Sequence, residues 1–140
     1  MPGEFQFFDH TADIGVRVRA PTRADLFRQA AEALYAAAGE FVSRGPDREQ
    51  ALELDAPCAE DLLHDWLAEL LFDLETNHVR YRDIAFAELG PTRLRARLCG
   101  REVDLDRSQV NQEIKAVTYH QLRVAQRADG EWEATVIFDV

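Results

Sequence analysis

Apolar and polar residues alternate from Ile14 to Arg19. Ile14, Val16 and Val18 fall on one face and Arg17 and Arg19 on the other, which is the two-residue period of a half-buried strand. Phe5-Gln-Phe-Phe8 reads as a shorter strand before it. The period then changes. Leu26, Ala30, Leu34 and Ala37 recur every three or four residues and predict a helix. Thr22 is placed to cap that helix, Asp25 sits where a capping-box acid belongs, and Gly39 is a stop signal. A second helix starts at Pro57, ends near Asn77-His78 and carries a broad apolar face that includes Leu62, Leu63, Trp66, Leu67, Leu70, Leu71 and Leu74. Ser43 to Gln50, with Gly45-Pro46, is expected to be a charged connector, and Ala51 to Asp55 a short strand. Tyr81–Leu89 and Thr92–Gly100 are expected to pair around Gly90-Pro91. Asp104–Gln112 reads as a loop, Glu113–Ala125 as one long strand, Ala128-Asp-Gly130 as a turn, and Glu131–Phe138 as the last strand. Two helices and about seven strands, mostly joined as hairpins, give an α+β layered fold: a mostly antiparallel or mixed β-sheet with two α-helices packed on one face. No repeat or linker interrupts residues 1–140, so one domain is expected.

Charge narrows the partners. The 26 acidic residues outweigh the 16 basic ones, leaving a formal charge of −10. Such a chain has no general attraction for a phosphate backbone, because that attraction comes from Lys and Arg displacing counterions. No strong direct nucleic-acid binding is expected; a partner in RNA metabolism would be a basic protein. The N-terminus has no basic region leading into an apolar run, and no stretch reaches the roughly 18 apolar residues of a membrane span. A cytoplasmic protein with no membrane partner is expected, with Cys58 and Cys99 as reduced thiols. Lys115 is the one lysine among fifteen arginines. A compact ammonium is not replaceable by a planar guanidinium in a tight site, so the position draws notice.

Several groupings offer chemistry. Asp9-His10-Thr11-Ala12-Asp13 is a polar elbow between two strands, with two carboxylates and an imidazole; on residue type alone, local capping of the turn is the simpler account. Asp139 stands beside the α-carboxylate of Val140. These form either an exposed, solvated tail or a pair of oxygen ligands for Ca²⁺, Mg²⁺ or Mn²⁺. Lys115 and His120 lie at an odd spacing, so an unbroken strand would point them to opposite faces, and only a bulge would let them share a site. Asp61, Asp65 and Glu69, with His64 alongside, form a helical row that reads as a solvated face. Arg93, Arg95 and Arg97 stripe one strand, with Arg101 nearby. They lack interleaved aromatics for stacking bases, and acidic cross-strand neighbours account for them better. Phosphate-cradling loops, a nucleophile elbow and Cys–His metal spacings are all missing.

Phe8-Asp-His-Thr-Ala-Asp-Ile-Gly15 resembles the opening signature of the archease family. Leu26-Phe and Ala30-Ala-Glu-Ala-Leu34 resemble its first helix, and Trp66-Leu-Ala-Glu-Leu-Leu71 its second. Glu113-Ile-Lys-Ala-Val-Thr-Tyr-His120 and Val136-Ile-Phe-Asp-Val140 resemble its C-terminal signatures. The resemblance runs from near residue 5 to residue 140. It implies a partner of the RNA-splicing ligase that joins a 3′-phosphate or 2′,3′-cyclic phosphate to a 5′-hydroxyl, using GTP and Mn²⁺ through a guanylylated histidine. It further implies that the chain is not itself an enzyme and contributes no catalytic residue, but promotes guanylylation and multiple turnover. Carried over position by position, the family's metal site falls on Asp13, Asp139 and Val140, where Val140 replaces a commoner Ile. Ca²⁺ is the first expectation for the ion, with Mn²⁺ or Mg²⁺ next. His10, Lys115 and His120 become candidates for a functional surface. Two other readings compete: a chaperone-like modulator of another tRNA-modifying enzyme, such as a tRNA methyltransferase, and a small metal-dependent hydrolase.

Overall fold

In the computed structural model the described residues are 2–10 and 12–140, with His10 described by its main chain alone. In chain order the elements are β1 (Glu4–His10), β2 (Asp13–Ala20), α1 (Arg23–Ala38), β3 (Gly39–Glu40), β4 (Ser43–Asp55), α2 (Ala59–Thr76), β5 (Val79–Leu89), β6 (Arg93–Val103), β7 (Gln109–Val110), β8 (Ala116–Val117), β9 (Arg123–Gln126) and β10 (Trp132–Asp139). The fold is α+β, as the sequence leads one to expect, and every strand pairing among the described residues is antiparallel.

The strands form separate ladders. One sheet has the order β1-β2-β10-β8, with β9 also paired to β10; a second runs β4-β6-β5; β3 and β7 form a short pair. Each helix packs against strands of both large sheets, so α1 touches β2 and β5 while α2 touches β5, β4, β8 and β9. Alternation explains the packing. Val16, Val18 and Ala20 on β2, and Leu94, Ala96 and Leu98 on β6, all bury one face and leave arginines on the other. Between the sheets the helices meet at Trp66, whose indole N–H donates to the Phe27 carbonyl at 3.0 Å, and Phe86 of β5 packs on both rings.

Local signals set the helix ends. The Thr22 hydroxyl accepts from the Asp25 N–H at 3.1 Å, and the α1 stripe is buried from Leu26 to Ala38. Cys58 occupies the cap position of α2 without a side-chain capping bond.

Three expectations are corrected. Residues 43–50 are not a connector but the first part of β4, which pairs with β6 on both sides of a register shift between Arg44 and Arg48. Gly45, at φ 76°, and Pro46 sit in that bulge. An exposed edge strand need not alternate, so the charged run hides it. Residues 113–125 are not one strand. β8 and β9 both pair with β10, but a turn separates them, with Gln121 at φ 52° and the Leu122 N–H donating to the Tyr119 carbonyl at 3.3 Å. Residues 104–112, expected to be loop, include the short strand β7.

The arginine stripe behaves as charge balance. Arg93 contacts Asp55 and Glu88, each at 3.2 Å, Arg95 lies 3.5 Å from Glu53, and Arg101 donates to the Gly45 carbonyl. Among the described residues no helix is long and apolar enough to cross a membrane.

Candidate functional site at the end of the larger sheet

The β1–β2 hairpin closes at His10, which pairs with Asp13. Ala12 takes φ 66° to make the turn, a left-handed conformation that costs a non-glycine residue roughly 1–2 kcal/mol. Gly15 explains the glycine of the hairpin signature. Its cross-strand partner Phe8 lays its ring over it, so an added Cβ would overlap the Phe8 ring. The Arg17 guanidinium stacks on the same ring, 4.1 Å from its centroid.

Strand β10 enters this end of the sheet between β2 and β8. Phe138 pairs with Ile14 on one side and Val117 on the other, and Asp139 pairs with Ala116. One residue beyond the Phe138–Ile14 pair come Asp139 and Asp13 on neighbouring strands, both turned from the core face that Phe138 and Val16 occupy. The Lys115 N–H donates to the Asp139 carbonyl at 2.7 Å, which ties the strand end in place. Val140 packs partly buried against the core. Asp13 and Asp139 are half-buried.

The structure thus brings Asp13, Asp139, Val140 and the main chain of Lys115 together. The Lys115 side chain is exposed, and among the described residues it makes no ion pair, nor does Asp139. His120 is exposed on the turn beyond β8, where its N–H donates to the Thr118 hydroxyl at 3.2 Å. Because the strand breaks after Val117, the odd spacing of Lys115 and His120 no longer forces them apart. Thr11 and the His10 side chain, part of the elbow expected to act, lie outside the described residues.

His64 has a role here that its sequence context hides. One ring nitrogen lies 2.9 Å from the Val117 carbonyl, the other 3.0 Å from Asp65 Oδ1, and the ring stacks on Tyr119 at 4.0 Å. One helical turn earlier, Glu60 Oε2 accepts from the Val124 N–H at 3.0 Å. These two side chains hang β8 and β9 from α2. The signal was their spacing of four on one flank of the apolar stripe. Asp61 and Glu69 remain half-exposed on the solvated side.

Among the described residues no three His, Cys, Asp or Glu side chains gather to hold a metal. The donor set instead offers two carboxylates on adjacent strands plus the oxygens of Val140. All are hard oxygen donors, a set that fits Ca²⁺, Mg²⁺ or Mn²⁺ and not a thiolate-seeking or imidazole-seeking ion.

Fold and site together define a small two-helix, antiparallel α+β protein whose last strand is set centrally in a sheet beside a carboxylate-bearing hairpin. The chain belongs to the archease family: the Archease protein family matches residues 5–140. It is 34% identical to Protein archease of Methanosarcina barkeri, over 98% of this chain and 96% of that one. It is 36% identical to Protein archease of Methanopyrus kandleri, over 94% and 96%. Among solved structures it resembles an archease from Thermotoga maritima, described as a possible chaperone, with TM-score 0.71 and 23% identity over 95% and 94% of the two chains. It also resembles the solution structure of a Methanobacterium thermoautotrophicum protein, with TM-score 0.69 and 26% identity over 97% and 98%.

Proposed function

We propose that this chain is an accessory protein that activates a GTP-dependent RNA ligase joining 3′-phosphate to 5′-hydroxyl ends, promoting its guanylylation and multiple turnover while making no bonds itself. Family membership supports this reading. The observation that carries it is the seating of β10, which stands Asp139 beside Asp13 and fixes Val140 against the core. In this reading Asp13, Asp139 and the oxygens of Val140 hold one hard divalent cation, Ca²⁺ before Mn²⁺ or Mg²⁺. When bound, the cation supplies concentrated positive charge at an otherwise acidic tip. In the same reading Lys115, His120 and, by its place in the motif, His10 are the candidates for the surface that meets the ligase.

The physical account is a population shift. Guanylyl transfer needs accurately placed metals and groups, and a protein that binds the competent ligase conformer more tightly than the others raises its share. The charge of −10 suits a basic ligase cleft and makes the contact weaken with added salt.

The test is ligation with substoichiometric cognate ligase. Joined RNA should exceed one product per ligase only when this chain is present, and Asp13→Ala should lose both that effect and calorimetric Ca²⁺ or Mn²⁺ binding. Lys115→Arg should lose activation with stability unchanged. GTP turnover by the chain alone would make it an enzyme. Unaltered turnover with a verified cognate ligase would favour a modulator of another tRNA-modifying enzyme.

A further inference from the structure

Five large apolar side chains are left exposed among the described residues, and two of them, Leu105 at 51% and Val110 at 56%, line one groove. Its floor is Phe41, Leu74 and Ile114, between the end of α2 and the segment that leads into β8. Isolated exposed apolar residues are ordinary; a contiguous apolar lining is a contact surface. The groove holds about 180 Å³, below the ~300–1,000 Å³ of a cofactor or small-molecule pocket. That volume suits a protruding side chain instead.

The rim states which kind. Glu75 and Glu113 stand on it close enough to repel, and burial, then Glu113, push the Glu75 carboxyl upward. Asp104 and Asp106 flank Leu105 in sequence. The basic groups nearby are His78 on the groove wall, Lys115 directly after Ile114, Arg107 in the same loop as Leu105, Arg82, which donates to the Phe41 carbonyl at 3.4 Å, and Arg44, which is already bonded to Glu102 at 3.3 Å. A like-charged pair at the mouth of an apolar groove is relieved by a cation, whereas nucleic acid and anionic lipid would add to the repulsion.

We propose that this groove docks a segment of a protein partner that presents a large apolar side chain next to Lys or Arg. The apolar group fills the space between Leu105, Val110 and Ile114, and the cation answers Glu75 and Glu113. Ile114 is followed directly by Lys115, so one partner chain can span the groove and the tip of the larger sheet. This site goes beyond the cation site and does not depend on the ligase reading.

The experiment follows amide resonances of the isotope-labelled protein during titration with acetyl-Lys-Leu-Leu-Lys-amide and with its acidic twin, acetyl-Glu-Leu-Leu-Glu-amide. The basic peptide should bind more tightly by about tenfold and move Ala38, Leu74, Val110 and Ile114. Val110→Ser, an exposed position where folding is safe, should weaken it, and Glu113→Lys should reverse the preference. Equal affinity for the two peptides, shifts centred elsewhere, or no shift at millimolar peptide would overturn the proposal.

Discussion

Carboxylates are treated in opposite ways at two places in this molecule. Beside β5, Asp73 is buried and lies within hydrogen-bonding distance of the Tyr81 hydroxyl at 2.9 Å and the Asn77 amide at 3.0 Å. Nearby, Arg80 donates to both oxygens of Glu32, at 3.2 and 2.8 Å, and lies over the Tyr35 ring. At the tip of the larger sheet, Asp13 and Asp139 are set on neighbouring strands, and Lys115 reaches Asp139 through its main chain only. The first arrangement stabilises a fold, because each charge removed from water finds donors. The second leaves two half-buried carboxylates on neighbouring strands at the end of a sheet, within reach of solvent and of a partner. Burial and position in the sheet separate scaffold from site more clearly than residue type does.

Breaking the scaffold side should have the largest effect. Arg80→Ala removes both bonds to Glu32 and the stack on Tyr35. A loss of about 2–4 kcal/mol in denaturant unfolding is expected, toward the lower end because Glu32 keeps some solvent. A loss under about 0.5 kcal/mol would mean that the pair is not structural.

Next comes pH. Burial, partly opposed by a main-chain hydrogen bond and Arg80, pushes the Tyr35 phenol from 10.0 up to about 12. Burial and the Asp73 bond push Tyr81 upward too. A raised folded value keeps the stability below the unfolded one and loses it above. Unfolding free energy should therefore hold steady, as far as these phenols matter, up to about pH 10 and fall as pH rises toward about 12. Tyr35→Phe should flatten part of that fall; an identical curve would detach these phenols from alkaline unfolding.

The smallest effect on stability belongs to the tip. Asp139→Asn removes one of two neighbouring charges and should change unfolding free energy by less than about 0.5 kcal/mol without cation. Cation-dependent stabilisation should vanish in the same variant. A large loss of stability without cation would show Asp139 to be scaffold after all.

The helices were legible because Leu26, Leu34, Trp66 and Leu70 recur at helical intervals and every one of them is buried. Strand β2 was legible for the same reason at period two, and β10 as an apolar run, with Val136, Ile137 and Phe138 all buried. β4 was legible only over Ala51–Asp55, since its first half faces solvent at an edge and reads as Ser-Arg-Gly-Pro-Asp-Arg. The break after Val117 was also hidden: Thr118 and Gln121 carry no strong turn signal, and where β8 ends Thr118 donates both its N–H and its hydroxyl to the Ile137 carbonyl, at 3.0 and 2.9 Å. Asp13 and Asp139 were marked by their motifs, but their adjacency depends on strand register, which no local pattern encodes. His64 was read into an acidic row, when two of the partners that fix it, Val117 and Tyr119, lie more than fifty residues away.

The bulge in β4 has a consequence for the molecule among its own copies. β4 is an outer strand of its sheet and spans thirteen residues, the length of free edge on which a second chain could add itself. Gly45 and Pro46 interrupt that template: the backbone turns aside between Arg44 and Arg48, and the proline offers no N–H to an incoming strand. What looks like an irregularity within one chain is a barrier to polymerisation in a crowded solution.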